Sequence, residues 1–196
     1  MAGDRTVLVV GGGISGITAA VEAAEAGCKV ILLERQPYLG GRVAQLYKYF
    51  PKLCPPTCGL EINYKRIRSN PDISVYTLAE VQSVAGSAGS FKVTVKINPR
   101  YVEDRTAATK DVDDCPVEIP NEFNYGMNMV KAVRLPYEMA YPMNLVADGP
   151  ALKKVRGTDQ FKNFARACES KGLRLDLDAK PESFDLQVNS IIWATG

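Results

Sequence analysis

The amino-acid sequence predicts an α/β fold built on a parallel β-sheet, and three observations support this. A short apolar run, Val7–Val10, is typical of a strand buried on both faces. Glycines at positions 11, 13 and 16 follow it with the spacing G-x-G-x-x-G, and an alanine-rich stretch with helical periodicity comes next. A second apolar run, Val30–Leu33, then ends in Glu34. Strand, glycine turn, helix and second strand in this order indicate a Rossmann-like fold.

The glycine turn has the chemistry of a dinucleotide-binding site. The first glycine permits the tight turn, the second lets the backbone approach a pyrophosphate, and the third lets the helix lie close to the sheet. Glu34 can accept hydrogen bonds from a ribose. A strand-to-helix turn without a ligand is the alternative, and the surrounding strand, helix and acid favour binding. The predicted binding residues here are Gly11, Gly12, Gly13, Ile14, Ser15, Gly16 and Glu34.

A second glycine pair favours FAD over NAD as the cofactor. Gly40-Gly41-Arg42 follows the second strand and supplies further backbone donors and a guanidinium for phosphate. The pattern from Glu34-Arg35 to Gly40-Gly41-Arg42 resembles the FAD-binding fingerprint of flavoproteins with two dinucleotide-binding domains. NAD domains usually lack this second pair. We therefore predict FAD as the cofactor, with Arg35, Gly41 and Arg42 in its site; a plain Gly-Gly turn is the alternative.

Residues 1–97 are predicted to form the FAD-binding core with a β-meander. The meander is a strand followed by a hairpin, and Val81 on it is expected to lie beside the adenine. The elements predicted after Gly41 are a helix continuing through Gln45–Lys52, a helix at Leu60–Ser69, and strands at Ile73–Thr77, Val81–Val84 and Phe91–Ile97.

The remainder of the chain divides into an insertion and a return to the core. Regular periodicity disappears after Asn98, so residues 98–150 are predicted to be an irregular insertion of loops without a core of its own. Residues 151–196 are predicted to rejoin the FAD-binding core, with Cys168 buried on a helix that starts at Thr158. The last strand ends in Ala194-Thr195-Gly196, whose backbone is expected to approach the cofactor. We expect the sequence to be a fragment of a longer protein, inactive alone.

Composition excludes several function classes. The chain has no histidine, so Ser-His-Asp and Cys-His catalysis are excluded, and a cofactor must supply most of the chemistry. The formal net charge of +2 predicts no nucleic-acid partner. With no signal peptide and no apolar run of about 18–20 residues, we expect a cytoplasmic protein without direct membrane insertion. Five cysteines then indicate thiols or cluster ligands rather than disulfides.

Four segments resemble the family formed by the A subunits of heterodisulfide reductase, namely Gly40–Pro51, Tyr101-Val102, Cys115–Val117 and Asn121–Gly126. Within the family, the resemblance is greatest to the branch of quinone-interacting membrane-bound oxidoreductases of dissimilatory sulfur metabolism. It implies an FAD protein that passes electrons between soluble iron–sulfur partners and a membrane quinone module. It further implies peripheral attachment to that membrane complex, with adenylylsulfate reductase as a neighbouring redox partner.

One departure from the family pattern concerns iron. Relatives carry a ferredoxin-type run, C-x-x-C-x-x-C-x-x-x-C-P, of which this chain keeps only Cys115-Pro116. Arg105, Ala108 and Asp111 occupy the other cysteine positions. One thiolate cannot hold a four-iron cluster, which needs four ligands. We therefore interpret the insertion as a degenerate ferredoxin segment and predict no metal.

Cys54 and Cys58 are the candidate catalytic residues, and three interpretations of them stay open. They can form a redox disulfide beside the flavin, provide two ligands of a cluster completed elsewhere, or be paired structural thiols. Two prolines between them stiffen the loop and can hold both sulfurs on one side. Two other functions are also compatible with the sequence: a structural or docking flavoprotein without redox turnover, and an NAD(P)-dependent disulfide reductase.

Overall fold

The sequence folds into eleven short strands and five α-helices within the residues that the computed structural model describes, 5–103 and 112–196. The strands are β1 Thr6–Val10, β2 Lys29–Glu34, β3 Ile73–Thr77, β4 Ala79–Ser87, β5 Ser90–Ile97, β6 Glu118–Pro120, β7 Met129–Lys131, β8 Val133–Arg134, β9 Val146–Ala147, β10 Glu182–Val188 and β11 Ser190–Trp193. The helices are α1 Ile14–Glu25, α2 Gly41–Ala44, α3 Thr57–Ser69, α4 Gly149–Val155 and α5 Asp159–Ser170, with a 3₁₀ turn at Glu122–Asn124.

The chain divides into two compact units. The first comprises the described residues up to Asn98 together with Pro181–Gly196, and the second those between Pro99 and Lys180. The predicted division at residues 150 and 151 differs from this observed one. The helices after residue 150 belong to the second unit, and the chain rejoins the first only at Pro181.

A four-stranded parallel sheet forms the centre of the first unit, with strand order β11-β1-β2-β3. The centres of its inner strands are apolar because both faces are covered: Leu8, Val9 and Leu32 have no exposed surface. Strand β1 and strand β2 run in register, with Val10 opposite Leu33. The two strands therefore end at the same edge of the sheet. The Rossmann-like α/β class predicted from the sequence is confirmed.

An antiparallel sheet of three strands, ordered β10-β5-β4, covers one face of the parallel sheet. Strands β4 and β5 form the predicted hairpin, with Ser87 paired to Ser90 across the turn. A shared hydrophobic core joins the two sheets and contains Leu8, Val10, Leu33, Ala79, Val93, Val95 and Val188. Val81 of β4 is half-buried and packs against this core.

The second unit has a core of its own, which corrects the prediction of a coreless insertion. Helix α5 begins at the predicted cap, where the Thr158 hydroxyl accepts a hydrogen bond from the Phe161 N–H. Its apolar face does not rejoin the FAD-binding core, because it packs instead on the short strands of the insertion. Strands of two or three residues are too short to show periodicity, so this core could not be predicted from the sequence. The buried residues are Val102, Val112, Cys115, Ala132, Val133, Leu145, Ala147, Leu152, Phe161, Phe164, Cys168, Leu173 and Leu177.

The helix predicted through Gln45–Lys52 is wrong, because α2 ends at Ala44. Tyr47 and Phe50, two apolar residues of that stretch, are 83% and 87% exposed, so a helix here would bury little apolar surface. The chain instead folds back on itself, and Tyr49 pairs with Cys54 in an antiparallel bridge. Helix α3 in turn starts three residues earlier than predicted, at Thr57, and so includes Cys58.

Candidate functional site

The turns after β1 and β2 join into one backbone surface at the edge of the parallel sheet. The Gly40 N–H donates a hydrogen bond to the Gly12 carbonyl at 2.7 Å, and Gly13 and Gly40 form a parallel bridge. Gly41 has a φ of +54°, and a Cβ there would lie 2.9 Å from the Gly13 Cα. Two glycine pairs that are far apart in the sequence therefore meet at this edge of the sheet.

Glu34 is fixed against the first glycine turn by two backbone hydrogen bonds. Its Oε2 accepts from the Gly12 N–H at 2.6 Å, and its Oε1 accepts from the Gln36 N–H at 2.7 Å. An ionised carboxylate has about four acceptor positions, so lone pairs remain for the two hydroxyls of a ribose. The carboxylate is held at the edge of the turn, where the sequence predicts the adenosine half of the cofactor.

Two of the glycines are required by the fold itself. Gly11 has a φ of +111°, and a Cβ there would collide with the Ala194 carbonyl. A Cβ on Gly16 would collide with the Gly11 carbonyl oxygen. The Ala194 N–H donates to the Val10 carbonyl at 2.8 Å, which extends the pairing beyond β11 and brings the Ala194-Thr195 backbone beside the turn. Gly196 follows with a φ of +79°.

Gly13 is different, because the fold does not require a glycine there. Its φ of −73° suits any residue, and a Cβ at this position would meet no atom within 4 Å. The first N–H groups of α1, which belong to Ile14, Ser15 and Gly16, have no carbonyl partner within the helix. Such groups bind anions readily. Donors at the start of α1 and open space at Gly13 fit the pyrophosphate of a dinucleotide.

Arg35, Arg42 and Val81 are the other residues predicted to contact FAD. Arg35 follows β2 and Arg42 is the second residue of α2, and both side chains are at least partly exposed. Val81 contacts the core between the two sheets. Their contacts with FAD stay a prediction.

Helix α3 supports the second glycine turn. This contact was not predicted from the sequence. The Tyr64 hydroxyl donates to the Leu39 carbonyl at 2.8 Å. A Cβ on Gly40 would approach the Tyr64 hydroxyl oxygen at 2.7 Å and Leu60 Cδ1 at 3.2 Å. The buried residues of this helix are Leu60, Tyr64 and Ile67, whose spacing of four and three residues puts them on one face. No sequence signal indicated which backbone the tyrosine hydroxyl would hold.

Cys54 lies just before α3 and Cys58 lies in its first turn, and both are free thiols. Cys54 is half-buried and Cys58 is exposed. Sequence reasoning missed Tyr49, whose hydroxyl donates a hydrogen bond to the Cys54 side chain. This bond raises the pKa of the Tyr49 hydroxyl above its usual value, with smaller contributions from burial and from negative charge on the two sulfurs.

Within residues 5–103 and 112–196, no group of three or more Cys, Asp or Glu residues is placed so that it could hold a metal ion. The positions that replace the ferredoxin cysteines, Arg105, Ala108 and Asp111, lie outside the described residues. Among the helices of the same two ranges, none is long and apolar enough to cross a membrane.

Known proteins resemble the chain both in part and over nearly all of its length. A family model described as FAD dependent oxidoreductase matches residues 6–96. The iron-sulfur A subunit of CoB–CoM heterodisulfide reductase from Methanocaldococcus jannaschii is 36% identical over 198 residues, which cover 98% of this chain and 28% of the relative. The A subunit of the ferredoxin/F(420)H(2)-dependent CoB-CoM heterodisulfide reductase from Methanosarcina acetivorans is 35% identical, covering 98% of this chain and 24% of the relative.

Solved structures match only part of the chain. Thioredoxin reductase of Streptococcus pyogenes is 20% identical with a TM-score of 0.35, and the match covers 48% of this chain and 25% of that one. Histamine dehydrogenase of Rhizobium sp. 4-9 is 29% identical with a TM-score of 0.35, over 40% of this chain and 12% of that one.

Two joined glycine turns at the edge of a parallel sheet, in a region that matches the family model of FAD dependent oxidoreductases, indicate the FAD-binding domain of a flavoprotein. The chain belongs, more narrowly, to the family of heterodisulfide reductase A subunits. It spans 24–28% of the length of the two relatives described above.

Proposed function

We propose that the chain is the FAD-binding part of an electron-transfer subunit in a complex similar to heterodisulfide reductase. The observation that carries the proposal is the open space at Gly13, since the fold does not require a glycine there and a phosphate does. Homology to relatives named as heterodisulfide reductase subunits supports the type of complex.

The residues of this chain bind and orient the cofactor. The N–H groups from Gly13 to Gly16 hold the pyrophosphate at the start of α1, and Glu34 accepts hydrogen bonds from the ribose hydroxyls. Gly41 lets the second turn approach the same phosphates, and Arg42 supplies a guanidinium charge there. FAD, when bound, supplies one- and two-electron transfer that no amino-acid side chain provides.

The proposed partners are iron–sulfur subunits and a membrane quinone module, with adenylylsulfate reductase as a neighbour and peripheral attachment to the membrane complex. Leu46, Tyr47, Phe50 and Leu53 support a protein partner, because their apolar side chains are between 47% and 87% exposed. Apolar residues exposed together mark contact surfaces. Three of the four lie within Gly40–Pro51, a segment that resembles the family.

We propose that the insertion is a ferredoxin segment that has lost its metal. Cys115 keeps the position of the last ligand, but it is 1% exposed and its thiol donates to the Val117 carbonyl at 3.6 Å. A single cysteine supplies only one of the four thiolates that a four-iron cluster needs.

FAD titration followed by reduction tests the proposed function. The purified protein is titrated with FAD, and the bound flavin is then reduced by a low-potential donor such as a reduced viologen dye. We expect a bound flavin spectrum that bleaches reversibly. A protein that shows no flavin binding even after FAD is added would overturn the proposal.

A second candidate is a docking subunit in which flavin is only a scaffold, and the exposed apolar side chains between Leu46 and Leu53 favour it. The same reduction experiment separates the two. A bound flavin that no low-potential donor reduces would favour the docking role over the electron relay.

A further inference from the structure

A closed backbone loop holds Cys54 in the segment between α2 and α3. The Tyr49 N–H donates to the Cys54 carbonyl at 3.3 Å, and the Leu53 N–H donates to the Tyr49 carbonyl at 2.8 Å. These two bonds fix the backbone of Cys54 relative to that of Tyr49. The position of the first sulfur is therefore set before α3 begins.

Cys58 is reached from Cys54 by a single turn of the chain. The Cys58 N–H donates to the Pro55 carbonyl at 3.2 Å, and the Leu60 N–H donates to the Pro56 carbonyl at 3.1 Å. Cys54 precedes α3, and Cys58 lies in its first turn. These bonds close the chain between the two cysteines into a tight turn. A disulfide across it would need their Cα atoms to come within about 4.4–6.8 Å.

The Tyr49 hydroxyl lies beside both sulfurs. It donates a hydrogen bond to Cys54, and negative charge on either Cys54 or Cys58 acts on it. A Cβ on Gly59 would lie 3.7 Å from the same hydroxyl oxygen, so the phenol reaches over the first turn of α3. A hydroxyl donor at this position stabilises a reduced sulfur, because a thiol or thiolate accepts a hydrogen bond better than a disulfide does.

Exposure separates this pair from the two thiols that pack in the core of the second unit. Cys115 is 1% exposed and Cys168 is 3% exposed. Cys54 is only half-buried and Cys58 is exposed.

We propose that Cys54 and Cys58 form a redox-active dithiol that reduces disulfides by thiol–disulfide exchange, with Tyr49 as a positioning residue. The Cys58 sulfur, which is the exposed one, attacks the incoming disulfide, breaks its S–S bond and releases one thiol. Cys54 then attacks the Cys58 sulfur of this mixed disulfide, forms the Cys54–Cys58 bond and releases the second thiol. Two electrons and two protons pass from the dithiol to the substrate disulfide, and the step does not depend on FAD.

Mass spectrometry tests the pair directly, because trypsin cleavage after Lys52 and Lys65 places Cys54 and Cys58 alone in one peptide. The protein is equilibrated with mixtures of reduced and oxidised glutathione, quenched by alkylation and digested. We expect the doubly alkylated peptide 53–65 to be replaced, as the oxidised fraction rises, by an unalkylated form two hydrogens lighter than the free dithiol. The Cys28→Ser variant should behave identically. Cys54→Ser and Cys58→Ser should give no cross-linked peptide.

Replacing Tyr49 tests the role of the hydroxyl. Tyr49→Phe should shift the equilibrium toward the disulfide by about 5- to 10-fold, the effect of one lost hydrogen bond. Tyr47→Phe, which alters an 83% exposed side chain nearby, should leave the equilibrium unchanged. The dithiol is refuted if both cysteines are alkylated at every ratio, or if Cys58 takes up glutathione without forming the cross-link. Equal equilibria for the two tyrosine variants would refute the role of Tyr49.

Discussion

Glu34 and Gly12 are joined by a hydrogen bond of 2.6 Å between the carboxylate Oε2 and the backbone N–H. This contact connects the end of β2 to the turn that follows β1. The bond directs the carboxylate Oε2 toward the glycine turn. The lone pairs that remain on the carboxylate can accept hydrogen bonds from a ligand. The same carboxylate therefore orders the glycine turn and serves as the predicted ribose acceptor.

Glu34→Ala should weaken FAD binding by about 1–3 kcal/mol, or about 5- to 150-fold in Kd, because a charged acceptor is lost from hydrogen-bonded hydroxyls. Fluorescence titration with FAD measures the change. Glu61→Ala, which removes an exposed carboxylate on α3, is the matched control and should leave the Kd unaltered. Equal affinity of the Glu34 and Glu61 variants would show that this carboxylate does not touch the ribose.

Stability should fall at high pH through Cys168. Burial, with help from the nearby Cys115, raises the pKa of its thiol from 9.0 to about 11. Between these values the unfolded chain loses the proton and the folded protein keeps it, so unfolding becomes more favourable as pH rises. The loss should reach about 2 kcal/mol near pH 11.

Denaturant unfolding of the unchanged protein and of Cys168→Ala isolates this effect from the titration of other groups. The variant lacks the thiol, so the stability difference between the two proteins should shrink as pH rises above about 9. A difference that stays constant between about pH 8 and pH 11 would contradict the assignment.

Leu152→Ala should destabilise the second unit by about 2–5 kcal/mol, because the side chain is fully buried in its core and its removal leaves a cavity. Lys154→Ala, on the exposed side of the same helix, should change stability by less than about 0.5 kcal/mol. Thermal or denaturant unfolding measures both. If the insertion lacked a core, as its sequence suggests, the two variants would be equally stable.

Local patterns predicted β1, α1 and β2 well, because each of these elements carries its own signal. The apolar runs of β1 and β2 and the spacing from Gly11 to Gly16 are complete within about thirty residues of sequence. Because β1 and β2 pair in parallel, the turns that follow these two strands lie at the same edge of the sheet. Glu34 was placed correctly for the same reason.

Elements that depend on distant contacts escaped prediction. The strands β6 to β9 are stabilised by the helices that pack on them, and two or three residues cannot display a period. The stretch after Ala44 has helical spacing of apolar residues, yet those side chains stay exposed and the chain folds back through Tyr49 and Cys54. The contact between the Tyr49 hydroxyl and Cys54 likewise arises from this reversal and from no local pattern.

Two glycines of the same turn should respond in opposite ways to alanine. Gly16→Ala places a methyl group against the Gly11 carbonyl, and overpacking of this kind should cost about 3 kcal/mol of folding stability. Gly13→Ala meets open space at a permitted φ, so its stability should stay within about 1 kcal/mol of the unchanged protein. Thermal unfolding without added FAD distinguishes them. A Gly13 variant as unstable as the Gly16 variant would mean that the fold, and not a ligand, requires that glycine.

FAD titration of the Gly13→Ala variant tests the central claim most directly, since this methyl group fills the proposed pyrophosphate space and meets no other atom within 4 Å. The account predicts a variant with native stability and an FAD affinity at least about 100-fold weaker than that of the unchanged protein. A variant that folds normally and binds FAD as tightly as the unchanged protein would contradict the placement of the cofactor at these glycine turns.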